Sequence, residues 1–179
     1  MVAHGVGRAE LLGDLFVRLF RIGLGEKLMG GNGPASLTLA QYEALRFIAR
    51  HPHSTVGEMA EGMRTAYPSA TNMVTRLHKK GLIKKVGVRS DRRLVKVVLS
   101  DTGKQVLDDL NSTRTNLLGE ALAEMSDEEQ LGFLQSLDRF IRAASDAGLV
   151  EGGEVCVRCG SDGQCDCPLL RVGALEECK

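Results

Sequence analysis

The chain has no tryptophan and, across 179 residues, only five phenylalanines and two tyrosines, so its core must be mainly aliphatic. It has no long hydrophobic run. Nothing approaches the roughly 20 apolar residues that a membrane-spanning helix requires. Met1 to Arg8 lacks the basic-then-apolar layout of a secretion signal, so a cytoplasmic setting without a membrane partner is expected. The first 155 residues contain no cysteine, which excludes a disulfide framework stapling distant parts of the fold. No nucleophile–base pair, paired catalytic carboxylates or phosphate-cradling glycine loop stands out. The glycines at 30–33 precede no strand-to-helix turn, and the four histidines are scattered. An enzyme is not expected.

Net charge is also absent, but only in the sum. Residues 64–96 hold ten of the 23 Lys and Arg residues and one of the 23 acids, Asp91, which leaves +9 in that stretch. Residues 1–63 carry six bases and six acids, and residues 97–179 carry seven and sixteen. One concentrated cationic surface therefore sits beside an acidic body, the pattern that attracts a phosphate backbone.

Apolar spacing predicts an amphipathic helix over 8–25, where Leu11, Leu12, Leu15, Leu19 and Ile22 recur at helical intervals. Gly30, Gly31, Gly33 and Pro34 predict a loop. A second helix is expected from Thr38 to Arg50, ended by His51-Pro52. Thr55-Val56-Gly57-Glu58 fits a capping box and opens a third helix over about 56–63. Pro68 suits the first turn of a fourth helix running to Lys80, with Gly81 as the natural stop. Residues 82–86 and 94–99 read as two strands around a charged loop, 87–93. Ser100-Asp101 starts a long helix to about Met125, and Ser126-Asp127-Glu128-Glu129 caps a last helix to about Ser145.

The expected fold is mainly α: a winged helix-turn-helix at about 38–100, flanked by body helices at 8–25 and 101–146. Together these form a domain over 1–150, followed by a cysteine-rich tail at 151–179. In a helix-turn-helix the second helix enters the major groove by its N-terminal half. Its short hydrogen-bonding residues there are Ser69, Thr71, Asn72, Thr75 and Arg76. Asn and Arg make bidentate contacts to adenine and guanine edges, and Ser and Thr suit either. Lys79, Lys80, Lys84 and Lys85 supply point charges for phosphates. The wing offers Arg89 and Arg92 to a narrow minor groove. For any one lysine a solvated surface role competes with contact, but charge, motif order and wing agree as a set.

Residues 38–103 resemble the MarR family of winged-helix transcriptional regulators. The matching residues are Thr38-x-x-Gln41-x-x-x-Leu45, Pro68-Ser69-Ala70-Thr71-x-x-Val74-x-x-Leu77, Gly81-Leu82-Ile83, Asp91-Arg92-Arg93 and Leu99-Ser100-x-x-Gly103. The flanking helices look similar too, extending the resemblance to 8–146. It implies a homodimer built from the first helix and the last two, reading a palindromic operator in double-stranded DNA with one recognition helix per subunit. It implies an ion pair from Asp91 orienting Arg93, and a wing arginine in the minor groove. A small phenolic or lipophilic effector, an oxidant or a metal is the usual signal in that family, and a repressor that responds to such a signal is the function expected of this chain. The apolar face of helix 8–25, too wide for a small winged helix to cover, independently favours a dimer.

Five cysteines close the chain with spacing Cys156-x2-Cys159-x5-Cys165-x-Cys167-x10-Cys178. Gly160 and Gly163 permit the reversal that would bring Cys156 and Cys159 toward Cys165 and Cys167. Four converging thiolates hold zinc, or an iron–sulfur cluster, which Cys167-Pro168 also suits. Cys178 is a spare ligand, a resolving thiol or an idle end residue. Reversible thiol–disulfide sensing and a tail without function are the alternatives. From a different class, an iron–sulfur or thiol redox protein would use the winged helix for protein contacts.

Overall fold

The computed structural model describes residues 2–19, 22, 25, 37–88 and 91–149, and of residues 2–4, 88 and 91–94 the backbone alone. The predicted loop at 30–34, Arg89 at the wing tip and all five cysteines lie outside the described residues. The elements are α1 (Val2–Arg18), α2 (Leu39–Arg50), β1 (Ser54–Thr55), α3 (Val56–Gly62), α4 (Tyr67–Lys79), β2 (Ile83–Val88), β3 (Asp91–Leu99), α5 (Asp101–Ala123) and α6 (Asp127–Asp146).

Local chemistry sets most of these boundaries. Thr38, Thr55 and Ser126 each accept from the backbone N–H three residues on, and Gln41, Glu58 and Glu129 reach back to the cap backbone. Each pair satisfies two amides that a helix start leaves unpartnered. The Thr55 N–H donates to Glu58 Oε2 at 2.6 Å, and the Ser126 N–H to Glu129 Oε2 at 2.8 Å. Those bonds hold both carboxyls below the usual carboxylate range, the cap's backbone N–H contributing most and its hydroxyl next. α4 stops where Gly81 takes φ +73°, a left-handed conformation that glycine adopts without steric cost.

The core lies where α2, α3, α4 and α5 meet the sheet. Leu45, Ile48, Met59, Val74, Leu77, Ile83 and Val97 are almost fully buried there, joined by Tyr42, Phe47 and Leu107. Tyr42, Leu45, Phe47 and Ile48 of α2, Met59 and Ala60 of α3 and Ala70, Val74 and Leu77 of α4 face inward, and Met63 and Met73 are only partly covered. The Tyr42 hydroxyl donates to Asn111 Oδ1 at 2.8 Å and ties α2 to α5.

One junction fixes the wing against the body. The Ser100 N–H donates to the Leu82 carbonyl at 3.0 Å, and the Ser100 hydroxyl donates to the Gly81 carbonyl at 2.6 Å. That hydroxyl also accepts from the Gly103 N–H at 2.9 Å, capping α5. Gly103 packs so tightly on Leu82 that an added Cβ would lie 2.9 Å from its carbonyl carbon and closer still to its oxygen. The Leu99-Ser100-x-x-Gly103 pattern is thus one joint between sheet and helix.

Three elements differ from the sequence reading. α1 begins at Val2 rather than Arg8, so Gly5 and Gly7 lie within a helix despite their poor propensity. The wing arms are longer than expected: Asp91, Arg92 and Arg93 belong to β3 rather than to a loop, and Val88 pairs with Asp91. Charge made them look like loop, but an arm projecting beyond the body has no face to bury. The third difference is an added strand. β1 pairs antiparallel with β3, Ser54 opposite Val97 and Thr55 opposite Lys96, giving the order β1-β3-β2.

Candidate nucleic-acid interface

α4 buries Ala70, Val74 and Leu77. At about 100° per residue, the face opposite that stripe is centred on Asn72 and Lys79. Ser69 and Arg76 lie on one flank of this outward face, and Thr71 and Thr75 on the other. Ser69, Thr71, Asn72, Arg76, Lys79 and Lys80 are exposed and Thr75 is partly so. Ser69, Asn72 and Arg76, at intervals of three and four, form a continuous ridge. The structure therefore gathers seven of the predicted contacts at or just beyond one helix.

The threonines are constrained in a way the sequence does not display. The Thr71 hydroxyl donates to the Tyr67 carbonyl and the Thr75 hydroxyl to the Thr71 carbonyl, each at 2.9 Å. With their protons committed to the backbone, these oxygens can only accept from a ligand, and their methyl groups remain for apolar contact.

The start of α4 is also unlike the starts of α2, α3, α5 and α6. Its cap residue, Ala66, supplies no side-chain hydrogen bond. Amides left free at a helix N-terminus, aided by the helix dipole, suit an anionic oxygen. No acid occurs between Glu61 and Asp91 to compete for this surface. Tyr67, 60% exposed at the first helical position, belongs to the same edge and was not singled out from the sequence. Its signal was a solvent-facing aromatic just before Pro68.

Strand alternation separates the two wing lysines. Lys84 faces α5, its Nζ 3.6 Å from Asp101, and Lys104 lies 3.5 Å from the same carboxylate. The Lys84 charge, then that of Lys104, holds the Asp101 carboxyl below its ordinary range. Lys84 is thus not a bare phosphate charge. Lys85 points instead into a cleft of about 340 Å³ that it lines with Thr55, Val56, Gly57, Tyr67, Thr71, Val74 and Val95. His78 Nδ1 lies 3.1 Å from the Ile83 carbonyl and joins the end of α4 to β2. For Asp91, Arg92 and Arg93 the backbone places all three on β3, and the proposed ion pair between Asp91 and Arg93 lies outside the described side chains. Cys156, Cys159, Cys165, Cys167 and Cys178 lie wholly outside the described residues. Among the described residues no cluster of three His, Cys, Asp or Glu is arranged to hold a metal, and no helix is long and apolar enough to cross a membrane.

Known proteins are similar to this chain in sequence and fold. The model of the MarR family matches residues 35–94. The HTH-type transcriptional repressor MdtR of Bacillus subtilis is 30% identical over 95 residues, which span 53% of this chain and 61% of that protein. A MarR family protein from Bacillus stearothermophilus, solved as a structure, is 26% identical with a TM-score of 0.66, covering 81% of this chain and 99% of its own. Streptococcus pneumoniae FabT, solved in complex with DNA, superimposes with a TM-score of 0.64 at 19% identity, over 77% of this chain and 95% of FabT.

Proposed function

This chain belongs to the MarR family of helix-turn-helix transcriptional regulators, and on that premise we propose that it is a homodimeric repressor of a palindromic operator. Members of the family are DNA-binding regulators and not enzymes, so no catalytic residue is assigned. The observation that carries the reading is the exposed Ser69–Asn72–Arg76 ridge on an acid-free helix whose N-terminus has no side-chain cap.

Each part has a role. Asn72 and Arg76 read base edges by paired hydrogen bonds, and Ser69 accepts or donates as the base requires. Thr71 and Thr75 accept from exocyclic amines or touch thymine methyls. Lys79, Lys80 and the α4 N-terminus fix register through phosphates. Arg92 and Arg93 follow the groove beside the wing, with Arg89 at its tip.

Dimerisation is supported by apolar surface that the described chain leaves open. Leu11, Leu15 and Val17 of α1 and Leu134 of α6 are more than half exposed, and Phe140 is 70% exposed. α1 meets α6 of its own chain through Phe16 and Phe133, ring centroids 6.3 Å apart. A 17-residue helix with so much apolar surface in water is marginal alone, and a second copy supplies the cover. The Lys85 cleft beside α4 suits a small effector with an anionic group and an apolar body, whose occupancy would compete with DNA for Thr71. Cys156, Cys159, Cys165 and Cys167 are proposed as zinc or iron–sulfur ligands on their spacing alone, with Cys178 as a spare, and the tail as a second signal input.

Selection of binding sites from random duplex DNA tests the reading. The expected product is a two-fold consensus whose half-site centres are about 10 base pairs, or a multiple, apart. Recovery of no consensus, or of a single unrepeated site, would contradict it.

A further inference from the structure

A second cleft, of about 320 Å³, has no residue of the recognition ridge in its lining and has the opposite character to the one at Lys85. Phe47, His51, Pro52, His53, Ser54, Glu58 and Glu61 line it, two carboxylates with no lysine or arginine among them. The turn that forms its wall is not relaxed. His53 takes φ +67°, a left-handed conformation that is strained for a residue other than glycine. Backbone bonds hold it: the His53 N–H donates to the Val97 carbonyl at 3.0 Å and the Ser54 N–H to the His51 carbonyl at 3.2 Å.

Two polar atoms in that wall have no partner. Ser54 is 7% exposed and its hydroxyl makes no hydrogen bond. Nε2 of His51 is likewise buried and unpaired, while its ring stacks on Phe47 with centroids 4.6 Å apart. Leaving such groups unpaired costs free energy, and native proteins rarely keep them so without an occupant. Glu58 is committed in part to the Thr55 cap. Glu61 is exposed at the rim, with no ion pair or hydrogen bond from its carboxylate among the described residues.

We propose that this cleft binds a small organic cation, a primary ammonium carried on an apolar body. An ammonium has three donors and no acceptor. The Glu61 carboxylate offers it an acceptor at the rim, and the Ser54 hydroxyl oxygen and the lone pair of His51 Nε2, both buried behind the lining, become two more when the occupant settles, the last when the ring proton is on Nδ1. The apolar body rests on Phe47 and Pro52. Ser54 opens β1 and Glu58 and Glu61 belong to α3, so the occupant touches the first helix of the helix-turn-helix without covering the recognition ridge.

Titrating the full-length protein with 2-phenylethylammonium, followed by ¹H–¹⁵N spectra and calorimetry, tests this without DNA. The outcome is therefore independent of the operator reading. Saturable binding is expected, with shifts confined to residues around 47–61, and phenylacetate should bind at least tenfold more weakly. Glu61→Gln, an exposed substitution that leaves the core untouched, should weaken the amine about tenfold while operator affinity without amine stays the same. Ser54→Ala should also weaken it, and an unchanged melting temperature would separate that loss from misfolding. No saturable binding at millimolar amine, as expected if a buried water alone occupies the wall, would overturn the proposal. Equal binding of phenylacetate, or full affinity in Glu61→Gln, would do so too.

Discussion

Gly103→Ala should destabilise the protein although the position lies in the first turn of a 23-residue helix, where alanine is ordinarily preferred. Alanine gains about 1 kcal/mol over glycine in a helix interior from propensity alone, and less near an end. Against that, the new methyl would stand 2.9 Å from the Leu82 carbonyl carbon and 3.3 Å from its Cα. Both are backbone atoms that cannot rotate away. Leu82 is buried, and its carbonyl already accepts from the Ser100 N–H, so relief requires moving α5 off the sheet. Overpacking of this kind costs about 1–3 kcal/mol, which exceeds the propensity gain. Gly119, on the same helix, has nothing within 4 Å of the equivalent methyl. Gly119→Ala should therefore stabilise by about 0.5–1 kcal/mol. Urea unfolding at one fixed protein concentration, with unchanged m-values, measures both. Opposite signs are expected. A neutral or stabilising Gly103→Ala would refute the close joint between Leu82 and α5 and, with it, the explanation of the Ser100-x-x-Gly103 pattern.

Other substitutions follow from the same geometry. Arg76→Ala should cost about 1–3 kcal/mol of operator affinity and relax preference at one base pair, whereas Lys79→Ala should weaken selected and random DNA alike, as competition binding assays will show. Thr55→Ala should cost about 1 kcal/mol of stability by unmaking a helix cap, measured by chemical denaturation. Glu58 and Glu129 have folded-state values held below their ordinary ones, so what they add is present at neutral pH and is lost as pH falls through those lowered values. Glu58→Gln should accordingly destabilise at pH 7, and the difference from the parent protein should shrink as the medium is acidified, in parallel unfolding curves. Phe140→Asp places a charge on exposed apolar surface of α6 and should convert dimer to monomer in sedimentation, with operator affinity falling together with it.

Much of the fold was legible because its instructions are local. The boxes at Thr55 and Ser126 need only three residues of spacing, and the stripe Ala70, Val74, Leu77 alone identifies the inward face of α4. The recognition ridge follows as the complement of that stripe, so its residues could be named beforehand. What escaped depends on distant partners. β1 has two residues, too few for any periodicity, and exists because Val97 and Lys96 present an open strand edge. Gly103 stood in the sequence as a motif residue with no physical reason, which the Leu82 backbone packed against it supplies. The Thr71 and Thr75 hydroxyls read as ordinary donors until the helix claimed their protons. Lys84 counted as a phosphate charge until Asp101 stood opposite. The unpaired Ser54 and His51 atoms carry no pattern in the sequence at all.

The salt dependence of operator binding tests the central claim most directly. A DNA reader with several lysines and arginines on phosphates releases counterions on binding, so log K should fall linearly with log salt, with a slope of about −0.9 per phosphate neutralised. With six or more such contacts across two subunits, affinity should drop about a thousandfold or more between 50 and 200 mM salt. Substituting Lys79 and Lys80 together should flatten that slope. Affinity that stays level across the titration, or that is absent for every duplex tried, would mean that the cationic surface at 64–96 serves something other than DNA.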